Sequence, residues 1–274
     1  MINKKAERLF SAAIVMYLLI IIFPFIWVFL TSLKPESEIW SFGAFKILAD
    51  QPTLEHYEAL FKGNILNALK NSLIIATVTT VYVTLVASIA AYAIARLKFF
   101  GKRLLLAIVL ATSMFPQMTV VGPIYRTFVK LHWTNSYFIC LPYSMIALPV
   151  AIYILVTHFN KIPKEMEESA KIDGASKMRT FVDIIFPLAL PGIFTAAIIT
   201  FISVWNEFLL SLTLNSDSSY HTATVAITFL RGQFQIFWGQ VTAATVVVTI
   251  PTLFIVILFQ RQIISGLTSG AVKE

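Results

Sequence analysis

Six predominantly apolar runs, at about 9–33, 69–95, 104–125, 136–159, 188–212 and 239–259, are each long enough to cross a bilayer, and short polar segments separate them. A helix needs ~20 residues, at 1.5 Å rise each, to span the hydrocarbon core. Hydrocarbon offers no partner to a peptide N–H or C=O, so a spanning segment must satisfy its own backbone, as a helix does. With 58% hydrophobic residues, 13% charged residues and a mean hydropathy of +0.80, the chain is too apolar for an ordinary soluble domain. The expected fold class is all-α, a polytopic membrane protein with six transmembrane helices. No linker or low-complexity stretch is evident, so residues 1–274 are expected to form a single transmembrane domain. Lys4, Lys5 and Arg8 before the first run give it the charge order of a signal peptide, but its length marks a retained span.

The distribution of bases sets the orientation. Six spans put both termini on one side, and of 21 Lys and Arg residues 14 fall in segments on that side against seven on the other. Basic residues favour the cytoplasmic face, so both termini and the polar stretch 160–187 are expected there. A net charge of +7 raises nucleic acid as a partner, but these bases sit beside apolar runs, where they orient spans. No nucleic acid partner is expected. Trp40, Phe42, Phe45 and Ile47 in the first outer segment suggest an element lying along the membrane surface. Phe229, Phe234, Phe237 and Trp238 suggest a short interfacial helix within 213–238.

The polar stretch between the fourth and fifth runs carries more local order than a connecting loop needs. Pro163 suits a first helical position and Gly174 the residue just past a helix end, which bounds a helix at about Lys164 to Asp173. On it, Glu167 stands four residues before Lys171, the favourable order for an exposed ion pair, and Met166 and Ala170 form a small apolar strip. Ser176 can cap a second helix, on which Met178, Phe181, Val182 and Ile185 recur at helical spacing until Pro187.

The pattern Glu168-Ser169-Ala170, then Gly174, then Ile184 and Phe186-Pro187 resembles the cytoplasmic EAA loop of ABC-importer permeases. Ser169 stands where that motif has Ala, and Phe186 where it has Leu; both changes are mild, because Ser stays small and Phe stays apolar. The Trp205-Asn206-Glu207-Phe208 stretch, Pro251 and the ending 260–273 extend the resemblance to carbohydrate-uptake permeases over nearly the whole chain. The resemblance implies a type I ABC importer permease fold in a bacterial or archaeal cytoplasmic membrane. It also implies a second homologous permease, two cytosolic ABC ATPases that bind ATP and Mg, an extracytoplasmic solute-binding protein, and a sugar substrate, with transport by alternating access. Glu168, Ser169, Ala170 and Gly174 then map onto the ATPase-coupling motif, and the tail from Gly270 to Lys273 lies near the ATPases.

No chemistry of its own is legible in the chain. It lacks a phosphate-cradling G-x-x-x-x-G-K-[ST] loop, so ATP work falls to a partner and no cofactor is expected here. The four histidines lie far apart, the single Cys140 falls in an apolar run, and neither a metal site nor a catalytic constellation is expected. Glu207 alone of 14 acidic residues lies inside a span. An ionisable group there serves a solute pathway or is satisfied near the span's outer end. Trp205 and Asn206 offer a stacking face and an amide suited to sugar hydroxyls, and Gln240 and Thr242 are further pathway candidates; packing is the alternative for each. Pro116 and Pro123 break the third span, which either bares carbonyls to a cavity or only kinks it. Another solute such as glycerol phosphate, and less readily an ion-coupled secondary transporter or an intramembrane enzyme, are the competing readings.

Overall fold

The computed structural model describes residues 4–41, 46–231 and 236–268. Phe42, Phe45, Phe234 and the tail from Gly270 to Lys273, all singled out from the sequence, lie outside the described residues. In chain order the helices are α1 (Lys4–Thr31), α2 (Glu36–Ile39), α3 (Glu55–Lys62), α4 (Ile65–Arg96), α5 (Lys102–Thr112), α6 (Gln117–Leu131), α7 (Cys140–Lys161) and α8 (Glu165–Ile172). After them come α9 (Lys177–Arg179), a π-helical turn (Thr180–Ile185), α10 (Phe186–Leu188), α11 (Leu190–Trp205), α12 (Leu209–Leu214), α13 (Ala223–Thr228) and α14 (Trp238–Thr268). Among the described residues no strand forms, and Arg231 and Ile236 make an isolated bridge. Four helices are long and apolar enough to cross a membrane, and six crossings result if each of two bent helix pairs counts as one.

The third expected span is one such pair, with α5 and α6 meeting at 87°. Pro116 has no N–H to continue the ladder and turns the residue before it away from helix. The hydroxyls of Thr112 and Ser113 donate back to the carbonyls of Val109 and Leu110 and so engage acceptors in the last turn of α5. Pro123, by contrast, sits within an unbroken α6, and the Thr127 hydroxyl donates to its carbonyl at 3.0 Å. Only one of the two prolines ends a helix.

The fifth expected span, 188–212, resolves into α11 and, after a break at Asn206–Phe208, α12. The segment Lys177–Leu188 joins α11 at 74° as the second bent pair.

The chain divides into two compact units, Met1–Leu66 with Ala226–Ile250, and Asn67–Val225 with Pro251–Glu274. The first holds α1, an apolar helix whose most hydrophobic window has no residue buried within the chain. Beyond its end, polar groups close on one another. Lys34 is buried, its ammonium 5.2 Å from the Trp27 ring centre and donating to the Lys46 carbonyl, while the Lys34 carbonyl bonds His56 Nε2 at 2.8 Å. The Glu36 carboxylate accepts the backbone N–H groups of Trp238 and Gly239 at 3.0 Å each, supplying acceptors to the otherwise open N-terminus of α14. A side chain at Gly239 would overlap the His56 ring, so only glycine admits this contact.

The second unit is built on small residues, because lipid tails are as apolar as leucine and helices in a bilayer gain chiefly from close packing. Val83, Ala87 and Ala91 line one face of α4; Ala147, Ala151, Leu155 and Phe159 line one face of α7; Ile193 and Ala196 of α11 join them in one buried cluster. Ala87 and Ala91 of α4 therefore lie on its packed face, and Leu85, Val86 and Ile89 point outward. Gly192 of α11 lets the His158 ring of α7 lie where a Cβ would have to be.

Candidate functional site

The polar segment 160–187 folds as its punctuation predicts at the first helix. α8 begins after Pro163 and ends in a Schellman cap: Ala175 N–H donates to Ala170 C=O at 2.9 Å and Gly174 N–H to Lys171 C=O at 3.1 Å. Gly174 has φ +77°, a conformation that costs residues with a Cβ. Ser176 Oγ accepts the Arg179 N–H, capping the helix that follows.

That second helix departs from the expectation of one apolar face. It winds as a π-turn over Thr180–Ile185, which buries Phe181 and Ile185 and leaves Met178 and Val182 exposed. Phe181 sits in an aromatic cluster, 4.8 Å from Tyr92 of α4 and 5.9 Å edge-on from Phe186, with Phe159 of α7 also packed near it. These rings tie the segment to two spanning helices.

On α8, Ala170 is buried, whereas Glu168, Ser169 and, beyond the helix, Gly174 are exposed. The structure thus presents three of the four motif residues on the surface and uses the fourth as packing. Exposed Met166 and Ile172 on α8, with Met178 and Val182, add apolar area to the segment's surface.

The ion pair expected between Glu167 and Lys171 is replaced by another. Glu167 Oε1 lies 2.8 Å from Arg96 Nε at the end of α4, with only 13% and 3% of the two side chains exposed. The two atoms touch without hydrogen-bond alignment, while Arg96 Nη2 donates to the Ile162 carbonyl at 2.5 Å. A partly buried carboxylate turns to a cation that is also shielded from water, not to a lysine in solvent, because the attraction is stronger where the dielectric is low. In the sequence Arg96 reads only as one of the 14 bases on the side expected to be cytoplasmic. No local spacing signals its partner.

At the end of α11 the second group of candidates separates. The Glu207 carboxylate accepts the N–H groups of Leu210 at 2.9 Å and Ser211 at 3.2 Å, so it caps α12, and its own carbonyl accepts the Thr224 hydroxyl. Trp205 is buried and stacks on Phe201 with ring centres 5.7 Å apart. Asn206 is exposed, its amide donating to the Ile202 carbonyl. Gln240, half-buried on α14, belongs to the first unit.

Nearby, buried Asn71 of α4 donates to the carbonyls of Ser219 and His221 and accepts the Tyr137 hydroxyl. This fastens the loop around Ser219–His221 to the span. A cavity of about 500 Å³ in this unit is lined by Ile74, Val78, Tyr82, Tyr137, Phe138 and Tyr220 among others, and Trp205, Asn206 and Glu207 are not among its lining residues. Among the described residues no cluster of His, Cys, Asp or Glu is arranged to hold a metal ion.

Among the described residues the chain is all-helical and multi-pass, with an ordered polar segment between spans, and the proteins it matches make it a membrane transport component. Residues 61–268 match the family described as binding-protein-dependent transport system inner membrane component, and the chain belongs to that family. The trehalose/maltose transport system permease protein MalG of Thermococcus litoralis is 38% identical, covering 98% of this chain and 97% of that relative. The trehalose transport system permease protein SugB of Mycobacterium tuberculosis is 42% identical over 91% and 92%. A crystal structure of a bacterial ABC transporter that imports the polysaccharide alginate contains a chain that superposes with a TM-score of 0.77, covering 95% of this chain and 99% of that one at 18% identity. That likeness is one of fold.

Proposed function

We propose that this chain is the permease subunit of an ATP-driven, binding-protein-dependent importer for a di- or oligosaccharide. The observation that carries the reading is the 38% and 42% identity, over nearly the full length, to permeases named for trehalose and maltose transport. In this reading the chain pairs with a second homologous permease, receives sugar from an extracytoplasmic binding protein, and alternates between outward- and inward-facing states. Two cytosolic ATPases, which bind ATP and Mg, drive the cycle, and one of them docks on the segment 160–187. Exposed Glu168 and Ser169 and the Gly174 turn supply polar and close-approach contacts, Met166 and Ile172 supply apolar ones, and Ala170 seats α8 against the body of the permease. Both termini lie in the cytoplasm of a bacterium or archaeon. On the transport path, Asn206 offers an exposed amide, and the Glu207 carboxylate holds the turn that follows it.

Uptake of labelled trehalose, maltose and glycerol phosphate, in cells lacking the chain and in cells given it back, tests this. Disaccharide uptake that needs both this chain and ATP is expected. Uptake of glycerol phosphate alone, or uptake driven by an ion gradient without the ATPases, would overturn the reading.

A further inference from the structure

We infer that Arg96 is a positioning residue for coupling: its guanidinium ties α8 to the end of α4, so that a displacement of α8 moves the second span with it. The inference rests on the importer reading above and adds a residue to it.

The anchoring of α8 is sparse. Glu165, Met166, Glu168, Ser169, Lys171 and Ile172 are exposed, so of its eight residues only Glu167 and Ala170 turn toward the rest of the unit. Three apart, they lie on one helix face. Ala170 has no side chain long enough to grip, and it limits approach without resisting rotation or sliding. Glu167 is then the one charged side chain of α8 turned toward the unit, and the Arg96 guanidinium lies against it with 3% of its side chain exposed.

The same guanidinium holds the Ile162 carbonyl, in the link between α7 and α8. One rigid planar fork therefore fixes α8 at its first turn and at its entrance, which a lysine's single ammonium does not reproduce. Arg96 is also the last residue of α4, where a cation meets the unpaired carbonyls of the helix end. A pull on α8 is passed to a helix of 32 residues that crosses the membrane.

The test uses the assembled complex, with both permeases, the ATPases and the binding protein, in lipid vesicles, and reads sugar taken up per ATP hydrolysed. Glu167→Gln and Arg96→Gln are expected to retain the ATPases and hydrolyse ATP, while uptake per ATP falls about tenfold, within the roughly 5- to 150-fold usual for coupled sites. Exchanging the charges, Arg96→Glu with Glu167→Arg, should recover part of the loss. Arg96→Lys, which preserves charge and should assemble if the Gln variants do not, should give an intermediate ratio. An unchanged ratio in Glu167→Gln or Arg96→Lys, with only a lower melting temperature, would make the pair purely structural and overturn the inference. If the wild-type complex shows no ATP-dependent uptake, the importer reading falls and this inference falls with it.

Discussion

Two glycines show how the same residue answers different demands. At Gly174 a Cβ would meet nothing within 4 Å, yet φ is +77°, so the obstacle is the backbone conformation itself. Gly174→Val therefore costs ~1 kcal/mol or more in strain and re-aims the turn after α8. At Gly192 a Cβ would stand within 2.8 Å of His158 Nδ1, and the obstacle is a neighbour. Gly192→Ala is expected to cost ~1–3 kcal/mol of overpacking, read as a lower melting temperature of the purified chain with uptake per assembled complex unchanged. Gly174→Val should also lower the melting temperature, but unlike Gly192→Ala it should release the ATPase or uncouple hydrolysis from uptake. Glu207→Gln is a third case. A carboxylate that accepts two backbone N–H groups is replaced by an amide with one acceptor oxygen, leaving a donor facing an N–H at a buried helix start. A loss of ~1–3 kcal/mol is expected, measured by thermal unfolding of the assembled complex. A normal melting temperature with lost uptake would place the carboxylate on the transport path instead.

What the sequence makes legible at the level of elements is whatever is decided locally. Pro163, Gly174 and Ser176 act on their own backbone, and the helix start, Schellman cap and N-cap follow from them. Pro116 announces a break, but its 87° angle depends on what the two halves pack against, and Pro123, identical in type, leaves α6 intact. The π-turn at Thr180–Ile185 is likewise set by contact: an extra residue in the turn lets Phe181 reach Tyr92 while Ile185 stays in the core. Arg96 and Glu167 are joined only by the fold. In the loop after α12 a local rule does carry over to solution behaviour, because Asp217 Oδ1 accepts the Ser219 N–H at 2.8 Å and starts the turn Ser218–Tyr220. That bond holds the Asp217 carboxyl below its ordinary value, so the stabilisation is complete above that value and is lost as pH falls through the lowered one. After correction for intrinsic rates, protection of the Ser219 amide should stay flat from neutral pH to about 5 and disappear only below about 4. Asp217→Ala should remove it at every pH.

For the molecule as a whole, orientation is the property on which every other assignment depends, since the same helices inverted would offer the segment 160–187 to the wrong partners. The argument for its side is electrostatic: the turn after α4 carries Lys98, Lys102 and Arg103 around Gly101 with no acidic residue near, and such clusters resist translocation. The structure supplies sites that report on it without disturbing the fold. Phe100 is fully exposed, so a cysteine there costs no packing, whereas Gly101 beside it has φ +81° and is a poor position for any side chain. Ser218 lies in an exposed turn on the side expected to face out, and the chain's own Cys140 is buried, so background labelling stays low. A membrane-impermeant thiol reagent added to intact cells should label Ser218→Cys and spare Phe100→Cys, and permeabilising the membrane should bring Phe100→Cys to the same level. The opposite pattern would place α8 outside the cell, where no ATPase can reach it, and would undo the coupling role of Glu168, Ser169, Gly174 and Arg96 together.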